Sequence, residues 1–252
     1  MKKPGTIILA LLGFSGVLFG QGKNEPFPLE IPAVSPCDKV IVHTGFSLLY
    51  NETHEQASWV AYELTGEETV KVAERTNKFV PDPAVPTKSA TDRDYRGSGY
   101  DRGHMAPAAD MGWSVKSMQE SFYFSNMSPQ VPACNRGVWK RLEEQVREWA
   151  REYGSVYIVT GPVLTEGLPV IGPDKVSVPE AYYKVILDYT EPEIKGIGFI
   201  VPNAGSDAWA GAFAVSIDSV ESVTGIDFFP ALPDADETEL EKWICPRCWN
   251  WD

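Results

Sequence analysis

A chain of 252 residues fits one large domain or two small ones, and 43% hydrophobic with 23% charged residues excludes a disordered chain. The formal net charge of −13 is the wrong sign for a protein that coats nucleic acid with a uniformly basic surface. Charge is unevenly spread, however. Lys71 to Arg102 holds seven basic residues against five acids, whereas Asp227 to Glu241 holds six acids and no base, so a local basic cleft remains open.

Lys2 and Lys3 precede an apolar run from Ile7 to Phe19, short of the roughly 20 residues of a membrane span. Residues 1–22 have the proportions of a signal peptide, with an uncleaved anchor as the alternative. Its removal takes away both lysines and leaves a charge of about −15. The expected location is therefore exported, periplasmic or extracellular, with no stable membrane association. Residues 23–39, with four prolines before Cys37, read as an arm or linker, and 40–252 as a single domain.

"KVIVHTGFSLLYN" and "ASWVAYELT" read as strands, rich in β-branched and aromatic residues. "VPDPAVPTKSATDRDYRGSG" is a long loop, and loops of that length in compact domains usually carry function. "SVKSMQESF" is a short helix with Ser114 as N-cap, followed by a strand in "FYFSNM". The clearest helix spans about 136–153, where Val138, Leu142, Val146, Trp149 and Tyr153 form one apolar stripe and Gly154 supplies the stop. "SVYIVTGPVL", "AYYKVILDY" and "IKGIGFIVPN" are three more strands, and "FAVSIDSVESVTGIDFF" adds a strand and a short helix. Helices do not alternate with strands, so the expected class is α+β with a mixed, largely antiparallel sheet and packed helices.

In an oxidising compartment Cys37, Cys134, Cys245 and Cys248 could form two disulfides with three connectivities. "CPRC" could also be half a zinc site or a redox pair. A second C-x-x-C and a thioredoxin-like context are both missing, which favours a disulfide. The acidic C-terminal segment could act as a nucleic-acid mimic in a basic cleft.

His104, one of three histidines, sits in "SGYDRGHMAPAADM" among charges rather than apolar neighbours. An oriented neutral imidazole is the usual general base near neutral pH. His43 in a strand and His54 in a polar turn read as structural. Asn135 lies at the start of the long helix, where it could cap the helix or bind a hard cation. Glu143, eight residues on, falls roughly 80° round that helix, either paired with Arg147 or facing the same cation.

"DRGH", "SNMSPQ", "NRGVW" and a helical Glu, in this order, resemble the DNA/RNA non-specific endonuclease family, endonuclease G-like members of the ββα-metal (His-Me finger) superfamily. The likeness runs from about Val40 to Pro230. It implies a ββα-metal active-site motif and a metal-dependent hydrolase that cleaves DNA and RNA, leaving 5′-phosphate ends. His104 becomes the general base and Asn135 the direct ligand of Mg²⁺, for which Mn²⁺ could substitute. Glu143 would hold the metal's water, Arg75 would stabilise developing charge, and Arg102 and Arg136 would contact phosphate. Asn126 would position His104 or substrate. A homodimer is compatible with the likeness, and an inhibitor or immunity protein is left open. The alternative is a non-catalytic module of the same fold that binds nucleic acid or a protein.

Overall fold

The computed structural model describes residues 28 to 251. The chain forms β1 (Val40–Val42), β2 (Ser47–Asn51), β3 (Gln56–Thr65), α1 (Asp92–Tyr95), β4 (Asp101–His104), α2 (Val115–Glu120), β5 (Met127–Gln130) and α3 (Lys140–Tyr153). There follow β6 (Ser155–Pro162), β7 (Val170–Ile171), β8 (Val176–Ser177), β9 (Ala181–Asp188), β10 (Lys195–Pro202), β11 (Ala214–Val215), α4 (Ile217–Thr224) and α5 (Asp234–Lys242). Seven strands make one sheet in the order β1-β2-β3-β6-β9-β10-β11, every neighbouring pair antiparallel. The α+β class and the antiparallel sheet are therefore as expected. No helix among the described residues is long and apolar enough to cross a membrane.

Strand periodicity explains why both sheet faces are covered. On β3, Val60, Tyr62 and Leu64 join the core beneath α3, whereas Trp59 and Ala61 face the other way. The first core takes Leu142, Val146 and Trp149, so the predicted stripe is the buried face of α3. The second takes Ile217 and Val220 of α4, Phe228, Phe229 and also Ile31, so the proline-bearing arm packs on the body from that point. Gly154, at φ 92°, ends α3 in a conformation that side chains resist.

Several local expectations shift. "KVIVHTGFSLLYN" is two strands joined by a turn in which His43 N–H donates to Phe46 O. "FYFSNM" gives a 3₁₀ turn before β5 rather than a strand. The helix predicted from 136 begins at Lys140; Cys134–Trp139 form a wide turn broken at Gly137, whose backbone is not helical. Asn135 therefore sits in that turn, and the angular offset to Glu143 drawn from one continuous helix does not apply. One disulfide forms rather than two, between Cys245 and Cys248. Cys134 is buried with Sγ against Pro202 O, while Cys37 is exposed on the arm.

Strand β4 pairs with β5, His104 opposite Met127, and α3 follows to complete the expected ββα unit. Gly103 lies opposite Ser128, and a Cβ there would fall 2.1 Å from the buried Gln130 side chain. A side chain at position 103 would therefore force the Gln130 side chain to move before β4 could pair with β5 beside His104. The acidic helix α5 packs beside α4 on β10, far from occupying a basic cleft.

Candidate active site

The ββα unit and the segment before α1 enclose a cleft of about 430 Å³. Arg75, Arg102, His104, Asn135, Arg136 and Glu143 all line it, together with Lys140 and Arg147. Six of the seven residues singled out in the sequence thus share one cavity. Asn126 is the exception.

His104 closes β4 and is 9% exposed. Its ring meets Phe122 edge-on at 4.9 Å and Phe79 at 5.8 Å, and its Nε2 is buried without a hydrogen-bond partner. Burial, helped by the nearby Arg75 charge, holds its pKa down to about 3. The imidazole is accordingly neutral at physiological pH, the form able to take up a proton.

Cation pairing separates the basic residues. Arg102 pairs with Asp92, Arg136 with Asp101, Lys140 with Glu144 and Arg147 with Asp110. Arg75 alone of the five makes no ion pair among the described residues; its guanidinium lies 5.0 Å from the Phe122 ring centroid and donates to Asn77. Burial lowers its pKa from the usual arginine range, with Glu143 opposing. A mobile phosphate would find this cation unneutralised.

Asp101 organises the Asn135 side of the cleft. It accepts from Asn135 Nδ2 at 2.9 Å and from Arg136 through both Nε (2.8 Å) and Nη2 (2.6 Å). The Asn135 amide is thereby fixed with its oxygen unclaimed by any described residue. Glu143 does not pair with Arg147, which goes to Asp110 at 2.7 Å instead. Burial pushes the Glu143 carboxyl up to about 8, only partly offset by Lys184. Without a cation Glu143 therefore holds its proton near neutral pH. A fixed neutral oxygen and a carboxyl that ionises once a cation is present suit a hard divalent ion that keeps most of its water. The donor set therefore fits the metal that the likeness implies.

Asn126 is fully buried and does not line the cleft. Its Oδ1 accepts from Ala106 N–H, and its Nδ2 donates to Ala106 O and Ser121 O at 2.8–2.9 Å. It fixes the backbone two residues beyond His104. Asn126→Ala is expected to lower stability by about 2–3 kcal/mol, because three buried backbone groups lose their partner. Urea unfolding checks this, and a loss under 1 kcal/mol would mean that water replaces the amide. His43 and His54 have structural partners, Asp82 at 2.9 Å and Ser177 at 2.8 Å.

Beneath Glu143 lies a layer absent from the sequence reading. Lys184 of β9 is fully buried, its Nζ unbonded and 4.9 Å from the Trp139 ring. Asp110 is buried too and accepts from Tyr62 OH at 2.8 Å. A lysine inside an apolar strand was the available signal, but one-face exposure is the ordinary reading of such a residue.

The model of the DNA/RNA non-specific endonuclease family matches residues 30–235. This chain belongs to that family. Within the non-specific endonucleases it is 38% identical over 215 residues to the zebrafish (Danio rerio) protein named Nuclease EXOG, mitochondrial, covering 79% of this chain and 63% of that one. It is 35% identical over 244 residues to bovine (Bos taurus) Endonuclease G, mitochondrial, covering 91% and 81%. The chain spans about three fifths of the length of the EXOG relatives from zebrafish, mouse, frog and human. A crystal structure of an EndoG/EndoGI complex superposes with a TM-score of 0.76 at 33% identity, covering 83% of this chain and 92% of that one.

These relatives correct the expectation of an exported, periplasmic or extracellular protein. The EXOG and bovine Endonuclease G relatives carry a mitochondrial designation, which points away from that location. A short N-terminal run with leading lysines is a weak address, since secretory and organelle-targeting segments both start with positive charge. Residues 1–27, which hold the expected signal peptide, lie outside the described ones.

Proposed function

We propose that this chain is a Mg²⁺-dependent endonuclease that hydrolyses phosphodiester bonds of DNA and RNA with little sequence preference, leaving 5′-phosphate ends. The observation that carries the reading is a neutral His104, its Nε2 without a hydrogen-bond partner, sharing one cleft with the unpaired Arg75 and the fixed amide of Asn135. His104 accepts the proton of the attacking water. Arg75 neutralises the charge that grows on the phosphate, an interaction strengthened by partial burial. Arg102 and Arg136, already oriented by Asp92 and Asp101, hold neighbouring backbone phosphates, which positions substrate without reading bases. Asn126 keeps the turn after His104 in place.

Asn135 would hold Mg²⁺, or Mn²⁺ in its place, directly and Glu143 would hold it through water; the ion supplies charge neutralisation at the phosphate and at the leaving 3′ oxygen. Asp101 acts on this site at one remove, by turning the Asn135 oxygen toward the cleft.

The test uses the purified chain with supercoiled plasmid and with structured RNA, in Mg²⁺ and in EDTA. Both substrates are degraded in Mg²⁺ and neither in EDTA. Asn135→Ala raises the half-saturating Mg²⁺ concentration by roughly 10–100-fold. A folded protein that binds DNA but cuts nothing across metals and salt would instead be a binding module, and the proposal would fall.

A further inference from the structure

The C-terminal third carries a second cluster of charge, which the cleft does not use. Asp218 and Glu221 lie on α4, Asp227 follows it, and Glu237 and Glu241 lie on the neighbouring α5. Carboxylate oxygens of Asp218, Glu221 and Glu241 fall within 4.8 Å of one another, and so do those of Asp227, Glu237 and Glu241. Glu241 is the vertex common to both sets.

Acids so spaced are frequent on protein surfaces, and spacing alone assigns nothing. Glu241 is what separates this group from a solvated patch. It is only 9% exposed, and its Oε1 is buried with no hydrogen-bond partner. Glu237 Oε1 is in the same condition. Among the described residues no Lys, Arg or His forms an ion pair with any of the five. Glu221 Oε1 accepts from Phe228 N–H at 2.9 Å and the Glu221 side chain also bonds to that of Glu241, but Oε1 of Glu241 stays without a partner.

Burying a carboxylate without a partner is among the costlier arrangements in a protein. Burial and then the four neighbouring acids push Glu241 up to about 8, and burial with neighbouring acids raises Glu221 and Glu237 as well. Two helices packed through mutually repelling acids need a positive charge between them or protons on the acids.

We propose that Glu241, with Asp218, Glu221, Asp227 and Glu237, holds a structural divalent cation of the calcium class between α4 and α5. The donors are all carboxylate oxygens, with no histidine or cysteine to attract a softer metal. They arrive from two helices and a loop rather than from a rigid frame. Calcium accepts such irregular sets of about 6–8 oxygens, mono- or bidentate, whereas magnesium demands a compact octahedron. None of these five residues lines the cleft, so the site is separate from the catalytic metal and independent of the nuclease reading. Its effect is mechanical. Downstream of α5 the chain passes through the Cys245–Cys248 disulfide to Trp249, whose ring sits 4.6 Å from Trp149 of α3. Fixing α5 on α4 thus bears on how the C-terminal tail seats in the main core.

The experiment is a calorimetric titration of the chelator-stripped full chain with Ca²⁺ in excess Mg²⁺, with melting curves on the same samples. Wild type and Asn135→Ala should both bind Ca²⁺ with a Kd of about 10⁻⁵–10⁻³ M, and Glu241→Gln should not. Ca²⁺ at about 100 times its Kd should raise the wild-type Tm by about 5–10 °C, leaving Glu241→Gln unmoved. Without Ca²⁺, Glu241→Gln should melt no lower than wild type, since it removes a repelling charge. If that variant does not fold, Asp218→Asn with Glu237→Gln should weaken binding at least about tenfold. Absence of binding by folded wild type up to about 10 mM Ca²⁺ overturns the proposal and leaves shared protons as the explanation. So does binding that survives in Glu241→Gln but vanishes in Asn135→Ala.

Discussion

Replacing His104 by alanine is expected to lower the rate of DNA and RNA cleavage about 10²–10⁴-fold, the usual cost of losing a general base. Affinity for DNA should stay within a few-fold of wild type, because Arg75, Arg102 and Arg136 remain in the cleft. The pH behaviour is the sharper part of the prediction. An exposed histidine loses its basic form below about pH 6.5, and activity would fall with it. His104 is held down to about 3 by burial and by Arg75, so at saturating Mg²⁺ the rate should show no inflection near 6.5 that belongs to this ring.

The same shift predicts a stability signature. The unfolded chain takes up the His104 proton below about pH 6.5, whereas the folded chain resists it until near pH 3. The unfolded state therefore binds more protons in that window, and stability falls as pH falls through it. This contribution is fully present above the unfolded value and lost progressively toward the folded one. Urea unfolding at pH 7.5 and pH 4.5 should consequently show a smaller acid loss for His104→Ala than for wild type. A variant that cuts at the wild-type rate, or an acid loss equal in both proteins, would place the base elsewhere or show the ring to be solvated.

The residues that face the cleft were readable because chemistry-bearing side chains sit in short, ordered motifs. His104 stood out by its charged neighbours, and the stripe from Val138 to Trp149 fixed the buried face of α3. What escaped lies one layer deeper or depends on a single backbone break. Gly137 interrupts the helix that periodicity continued back to Arg136, and this moves Asn135 off the helical frame. Asn126 reads as a polar residue near the site, yet its three hydrogen bonds all go to backbone. Lys184 alternates with Tyr182 and Ile186 on the α3 side of β9, so it is buried with them. Sequence alone gives such a lysine to solvent, because it does not show that α3 covers that face. Partner choice was equally out of reach: helical spacing offers Glu143 to Arg147, and tertiary contact gives Arg147 to Asp110.

That choice of partner carries the second large expectation. Asp110 is 1% exposed, accepting Arg147 Nη1 on one oxygen and Tyr62 OH on the other. Buried pairs of this kind add little net stability, because desolvation offsets attraction, but removing one member leaves the other charge stranded. Asp110→Ala should therefore cost about 3–5 kcal/mol in urea unfolding, far more than a surface pair at about 0–1 kcal/mol. Tyr62→Phe removes one hydrogen bond to a charged acceptor and should cost about 1.5–3 kcal/mol. Joint replacement, Asp110→Leu with Arg147→Met, strands no charge and should recover most of the loss. Function should move with the pair. Once Asp110 is gone, Arg147 is one turn from Glu143 and free to take it, the contact that helical spacing favours. An ion pair with Arg147 would occupy the Glu143 oxygens that a cation's water must reach, so Asp110→Ala should need more Mg²⁺ for half-maximal cleavage while the double variant needs less of an increase. A loss below 1 kcal/mol for Asp110→Ala would mean that water reaches the pair. An unchanged Mg²⁺ requirement would mean that Arg147 stays out of reach of Glu143, and that Asp110 supports the fold without setting the charge of the site.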